Sequence, residues 1–336
     1  MIATPGLGGR DDSLRGIRTA VRSGKFREAR AELERVPAAT RDSAEGRLLG
    51  AMASWRLGEF QPSRAAALAA RDGFRRRGDS DGEMRAENVA AAGAFALGDL
   101  REAESGFQRA LALANLLSDQ LLRARTANNL GNVAFYKAQY SSALSYYRLA
   151  TTLFERVSLL SGQAESWNNT GHVWREMGKL GVARESYERA VEAAEATNDL
   201  RLLAEVLAGW AETHALLGDT RLARAQLGRA RDLARSRGDR LAEVEALRVQ
   251  ASLERMDGDL DSAERLGTEA LQIVRGLRHP WTDAEVQREL GAIYLAQDRP
   301  EEAARAFASA AEAFERIGAT KRSQEMREQE AQVRAG

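Results

Sequence analysis

Small and apolar positions recur along the chain at a fixed interval. Gly58, Gly98, Ala138, Gly178, Gly218, Gly258 and Asp298 each lie forty residues after the last, and Gly24 precedes the first of them by thirty-four. Seven positions before each of these stand Ile17, Ala51, Ala91, Gly131, Gly171, Ala211, Ala251 and Gly291, small in all but the first. Five positions after come Ala29, Ser63, Ala103, Ala143, Ala183, Ala223, Ala263 and Ala303; twelve after come Val36, Ala70, Ala110, Ala150, Ala190, Ala230, Ala270 and Ala310. Between these two columns sits a larger side chain, Leu33, Phe107, Tyr147, Tyr187, Leu227 or Phe307, with Ala67 and Gly267 breaking the series. Spacings of i, i+4 and i+7 put the three columns on one helix face. Small residues there let two helix backbones approach closely. The pattern therefore predicts helical hairpins, and a single hairpin cannot bury its own apolar face, so copies must stack.

First helices are expected near 14–23, 43–57, 83–97, 122–137, 162–177, 202–217, 242–257 and 283–297. Second helices are expected near 26–36, 60–76, 100–116, 140–156, 180–196, 220–236, 260–276 and 300–316. Gly78-Asp79, Ser118-Asp119, Asn198-Asp199 and Gly238-Asp239 mark the ends of second helices, where Gly and Asn suit a left-handed closing residue. Asp99 with Glu102 and Asp298 with Glu301 read as acidic capping boxes, and Pro300 fits a first helical turn. His279-Pro280-Trp281 reads as a connection in which Pro stops a helix and Trp covers its end. Residues 1–12 are expected to be a flexible lead, 13–318 the solenoid, and 319–336 a polar capping helix or a frayed tail.

Composition agrees with an all-α chain. Hydrophobic residues make up 44%, Pro numbers only 5, and Ala, Leu, Glu and Arg abound. Basic and acidic residues balance at 49 each, which argues against a nucleic-acid partner. Zero Cys excludes disulfides, thiolate metal sites and cysteine nucleophiles. The start MIATPGLGGR lacks a basic stretch followed by an apolar region, and no run of eighteen apolar residues occurs, so no signal peptide and no membrane insertion are expected. The expected location is the cytoplasm.

The segments NNLGNVAFYKAQYSSALSYYRLA (128–150) and WNNTGHVWREMGKLGVARESYERA (167–190) resemble the tetratricopeptide repeat family. Its pattern has Leu and Gly in the first helix, Gly at the turn, then Ala, Tyr or Phe, and Ala, and the resemblance runs over roughly residues 13 to 318. The forty-residue spacing is similar to that of the Leu-Gly-Asn adaptors, the kinesin light chain repeats and bacterial MalT-like sensor domains. The resemblance implies about eight repeats in a right-handed superhelix whose first helices line a concave groove.

Repeat logic then names the groove side chains: Arg85, Asn88, Phe95, Arg125, Asn128, Asn129, Asn132, Phe135, Tyr136, Asn168, Asn169, His172, Arg175, Arg248 and Arg255. Asn is unusual inside helices, and its amide both donates and accepts. One reading has these amides meet a peptide backbone, as the family resemblance implies for Asn132 and Asn169; the other has them tie neighbouring repeats. Arg85, Arg125, Arg175, Arg248, Arg255 and Arg288 offer charged contacts, and Trp55, Phe95, Phe135 and Tyr136 are candidate anchors. Trp167 and Trp174 fall on positions that pack within or between hairpins. Asn128, Glu165, Glu205 and Gly209 stand where a dicarboxylate clamp of this family would need basic residues, so such a clamp is not expected.

No catalytic pattern, cofactor motif or metal spacing is present. The His residues, at 172, 214 and 279, stand in separate repeats, and GLGG lacks the strand and the Lys or Ser of a phosphate loop. The expected function is a non-enzymatic adaptor or scaffold that binds an extended or helical segment of another protein. The alternatives are a peptide-responsive regulator acting on a separate effector, and a homo-oligomer joined through terminal repeats.

Overall fold

The computed structural model describes residues 12–277 and 279–335, and among these every regular element is helical. Residues 1–11, nearly all of the expected lead, lie outside the described residues. The chain divides into two compact units between Thr126 and Ala127.

Unit 1 opens with a 3-10 turn at Asp12–Leu14. It continues through α1 (Arg15–Arg22), α2 (Phe26–Arg35), the single turn α3 (Ala38–Arg41), α4 (Ala44–Arg56), α5 (Phe60–Arg76), α6 (Ser80–Ala96) and α7 (Leu100–Leu116) into the start of α8 (Gln120–Tyr136). Here α4 packs with α5 and α6 with α7, while α4 also touches α6, so first helices lie beside first helices.

Unit 2 holds the rest of α8, then α9 (Tyr140–Arg156), α10 (Leu160–Glu176), α11 (Leu180–Ala196), α12 (Leu200–Leu216), α13 (Thr220–Arg237), α14 (Arg240–Asp257), α15 (Leu260–Leu277), α16 (Pro280–Ala296), α17 (Pro300–Arg316) and α18 (Thr320–Ala335). Hairpins α10/α11, α12/α13, α14/α15 and α16/α17 stack in order, with α10, α12, α14 and α16 in direct succession. The polar α18 packs on α17, where Met326 and Val333 join the apolar cluster around Phe314.

The small-large-small columns form the core. Tyr147 and Tyr187 are fully enclosed at 1% and 0% exposure, and burying such a ring is worth about 2–3 kcal/mol. Each ring lies over the Gly of its own first helix: a Cβ on Gly131 would stand 2.4 Å from Tyr147 Cε1, and one on Gly171 would stand 2.8 Å from Tyr187 Cζ. Where Gly267 breaks the column, Leu290 and Ile293 of α16 lie against it instead.

The turns are more regular than the sequence suggests. All seven forty-spaced positions are left-handed, with φ from 53° at Ala138 to 86° at Gly218 and Gly258. A second left-handed series, Gly78, Ser118, Ser158, Asn198, Gly238 and Gly318, follows members of the first by twenty residues. The Asp after four of these residues begins the next helix: Asp79, Asp119, Asp199 and Asp239 accept from the backbone N–H of Gly82, Leu122, Leu202 and Ala242. From α6 onward the first helices start two or three residues before their expected positions, whereas α1 and α4 start one residue after theirs. Asp99 caps α7 as expected by accepting from Glu102 N–H. Asp298 does not cap α17; it is the left-handed residue, and Arg299 stands at the N-cap without a side-chain bond. His279 and Pro280 open α16 rather than closing α15, with His279 Nδ1 accepting from Thr282 N–H.

Candidate functional site

In unit 1, Asn88 is half-buried and its Oδ1 accepts from Thr126 Oγ1 at 3.2 Å. Arg85 is exposed, 2.9 Å from Asp81 and 3.8 Å from Asp119. Arg125 is exposed and Phe95 half-buried. The structure thus leaves Arg85 and Arg125 open to solvent and spends Asn88 on the neighbouring first helix.

The Asn residues of unit 2 are joined to one another. Ser166 Oγ donates to Asn128 Oδ1 at 3.1 Å, and Asn169 Nδ2 reaches Asn128 Oδ1 at 3.3 Å and Asn132 Oδ1 at 3.1 Å. Tyr147 OH donates to Asn132 Oδ1 at 2.8 Å, so the core ring is tied to this cluster. Asn128 and Asn168 are buried, and Asn129 is half-buried. Asn88 pairs with Thr126 and Asn128 with Ser166, each thirty-eight residues on; the equivalent partner of Asn168 is Val206, and Asn168 Oδ1 has no hydrogen-bond partner. Of the two readings for these amides, the geometry corresponds to repeat ties. Adjacent first helices come within hydrogen-bond reach, and buried polar groups take the partners nearest to them.

The Arg side chains are drawn inward in the same way. Arg175 lies 3.0 Å from Glu212, which also receives Arg248 at 2.8 Å; Arg248, only 2% exposed, meets Glu245 at 2.6 Å as well. Arg255 pairs with Glu289 at 2.8 Å and Arg288 with Glu285 at 2.6 Å. Burial works to raise the Glu212 carboxyl, but Arg175 and Arg248 override it and hold the group well below the usual carboxylate range. His172 Nδ1 lies 3.2 Å from Tyr187 OH, and burial, reinforced by Arg175, pushes its imidazolium down to about 3. It is a neutral core-edge histidine. Arg175, Arg248, Arg255 and Arg288, expected to offer charge to a partner, are therefore engaged in pairs of their own.

The column that runs through Glu165 and Glu205 counts in the sequence only as a place where the basic residues of a clamp are missing. At the forty-residue positions of Arg85 and Arg125, unit 2 carries Glu165, Glu205, Glu245 and Glu285. Glu245 and Glu285 are engaged with Arg248 and Arg288, whereas Glu165 and Glu205 are exposed beside Arg201, at 3.9 and 3.2 Å. The signal was present in the repeat register but had no meaning until the neighbouring charges were placed.

Phe135 and Tyr136, the expected anchors, are half-buried and already covered. Trp281 of α16 stacks on Tyr136 with ring centroids 3.9 Å apart and planes at 17°, and it lies 5.8 Å from Phe135. Trp281 thus covers a distant first helix and not the end of α15. In unit 1, Trp55 is half-buried edge-on to Phe60, at 6.4 Å. Trp167 and Trp174 pack against the core of unit 2.

Among the described residues no group of three or more His, Asp or Glu is placed to hold a metal ion, and no helix is long and apolar enough to cross a membrane. A shallow cleft of about 390 Å³ in unit 1, lined by Arg15, Lys25, Glu28 and Glu32, lies apart from the expected site residues.

Residues 82–156 and 164–197 match models of the tetratricopeptide repeat. Comparison with curated protein sequences gives no match. The fold is similar to that of the apo form of the quorum sensor NprR from B. thuringiensis, with a TM-score of 0.69 and 15% identity, covering 90% of this chain and 86% of that one. It is similar to a Rap protein complexed with Competence and Sporulation Factor, with a TM-score of 0.67 and 11% identity over 96% of this chain and 97% of that one. It is also similar to aspartyl phosphate phosphatase F from Bacillus subtilis, with a TM-score of 0.56 and 11% identity over 99% and 96%. At these identities the likeness is one of fold.

Proposed function

We propose that this chain, which carries tetratricopeptide repeats over 82–156 and 164–197, is a non-enzymatic cytoplasmic protein that holds a peptide segment of a partner on the first-helix face of unit 2. The observation that supports this is the exposed Glu165–Arg201–Glu205 group, set on the firmly tied floor made by Asn128, Asn132 and Asn169. Packed helices lie about 8–10 Å apart, which matches roughly three residues of an extended segment at about 3.3–3.6 Å each. Successive first helices can therefore meet every third residue of a bound strand. Rigid ties beneath an exposed polar row lower the ordering cost of binding. The charges put a preference for basic groups on the partner.

Cross-linked capture from the source cell, with wild type and with Glu165→Lys/Glu205→Lys, tests the assignment. A partner held on this face is lost from the double variant while the helical circular-dichroism signal and melting temperature stay as in wild type. Identical partner sets remove the face from consideration. A second reading is a regulator whose conformation follows peptide occupancy. It is supported by the likeness to a quorum sensor and to a Rap protein solved with Competence and Sporulation Factor.

A further inference from the structure

Stacked repeats touch their neighbours, and one cluster in unit 2 does not obey that rule. Trp281, in the first turn of α16, stacks on Tyr136 of α8 and lies 5.2 Å, edge-on, from Phe314 of α17. The guanidinium of Arg322, from α18, stands 5.8 Å from both the Phe135 and the Trp281 rings and reaches Glu176 of α10 at 2.7 Å. The last hairpin and α18 thus grip the first two first-helix segments of the same unit, past everything between them. None of the small-residue columns that build the stack takes part.

We propose that α16–α18 form an intramolecular latch. Trp281 and Arg322 occupy, from within the chain, an aromatic-and-acidic seat made by Phe135, Tyr136 and Glu176, and a partner segment enters this end of the face by presenting its own aromatic ring and guanidinium. The inference rests on the peptide-binding reading above and names the chemistry of the partner. Two features make the latch releasable. Arg322 is 6% exposed, yet its Nε has no hydrogen-bond partner, so the seated charge is incompletely satisfied. Helix α18 is almost wholly polar, and its apolar side chains Met326 and Val333 are held by α17, so Arg322 is its one buried charged contact with the seat and little apolar area of α18 opposes the release of that contact.

The absence of cysteine from the chain permits a direct distance measurement. Spin labels are placed on the full chain through Ser145→Cys on α9 and Gln329→Cys on α18, both at exposed positions. The closed chain gives one narrow distance distribution. Arg322→Glu sets two carboxylates face to face and leaves every ring in place; Trp281→Ala removes the stack. Each is expected to give a longer, broader distribution with the helical signal retained. The probe peptide Ser-Trp-Ser-Arg-Ser is expected to broaden the distribution of the parent chain and to bind the Arg322→Glu variant at least about tenfold more tightly. Unchanged distances in both variants overturn the latch. Opened distances without a gain in peptide affinity overturn its competition with a partner. The peptide-binding reading fails separately, through Glu165→Lys/Glu205→Lys.

Discussion

Gly218 and Ala138 hold the same place in the repeat and meet its backbone demand differently. Their φ values are 86° and 53°, in the region where a side chain crowds the following carbonyl at a cost of about 1–2 kcal/mol. Nothing lies within 4 Å of the Cβ that Gly218 lacks, so Gly218→Ala isolates the backbone term from packing. Urea denaturation should show that variant about 1 kcal/mol less stable. Ala138→Gly should move the other way by less, because glycine gives back about 0.5–1 kcal/mol through the freedom of the unfolded chain. Opposite signs at equivalent positions are the signature; a loss in both would mean that the Ala138 methyl packs usefully. The same scale explains what the sequence concealed about the Asn residues. Their types and spacing were plain, but whether an amide faces a ligand or a neighbour depends on the residue thirty-eight positions on, a hydroxyl at Thr126 and Ser166 and a bare Val206 after Asn168.

Helices were far more legible than the contacts on their inner faces. Second helices over 60–76, 100–116, 140–156, 180–196 and 300–316 coincide with those observed, because a left-handed residue precedes each and, in all but the first, a small-large-small face runs through it. First helices α6, α8, α12 and α14 were read short because their Asp was taken as part of the ending of the previous helix. In the structure it closes one element and opens the next. Asp199→Ala should therefore cost about 1 kcal/mol, and hydrogen exchange should speed first at the Leu202 amide, whose proton the Asp199 carboxylate accepts at 3.0 Å. Uniform loss of protection along α12 would point to a role for Asp199 beyond capping. The left-handed Ser158 gave little sign of itself, since serine has no strong preference for that conformation and no Asp follows it as one follows Ser118. Charge pairing was hidden for another reason. Arg248 looked available to a partner, and only its approach to Glu212 across α12 and α14 shows that the two satisfy each other. The Trp281–Tyr136 stack lies beyond repeat logic altogether, which relates a helix only to its neighbours.

For the molecule as a whole, formal charges cancel at neutral pH, so individual buried groups govern how stability follows acidity. His172 is held neutral by burial and by Arg175 and Arg248, with its folded pKa about 3, while an unfolded imidazole titrates near 6.5. Below about pH 6.5 the unfolded chain therefore binds a proton that the folded chain refuses, and stability must fall as pH falls toward 3. One such proton sets a slope of up to about 1.4 kcal/mol per pH unit. His279, also depressed by burial, adds loss of the same sign. Glu212 is held down by Arg175 and Arg248, so its contribution is complete above the unfolded carboxylate value near 4.3 and is lost below it. Melting temperature should thus be flat from pH 8 to 7, decline from 6.5, and steepen below about 4.5. His172→Gln keeps a group able to accept from Tyr187 OH but cannot take up the proton. It should shallow the decline between 6.5 and 4.5 and leave the lower limb intact. An unaltered upper limb would place the responsible histidine elsewhere and remove His172 from the groups that set the response to acid.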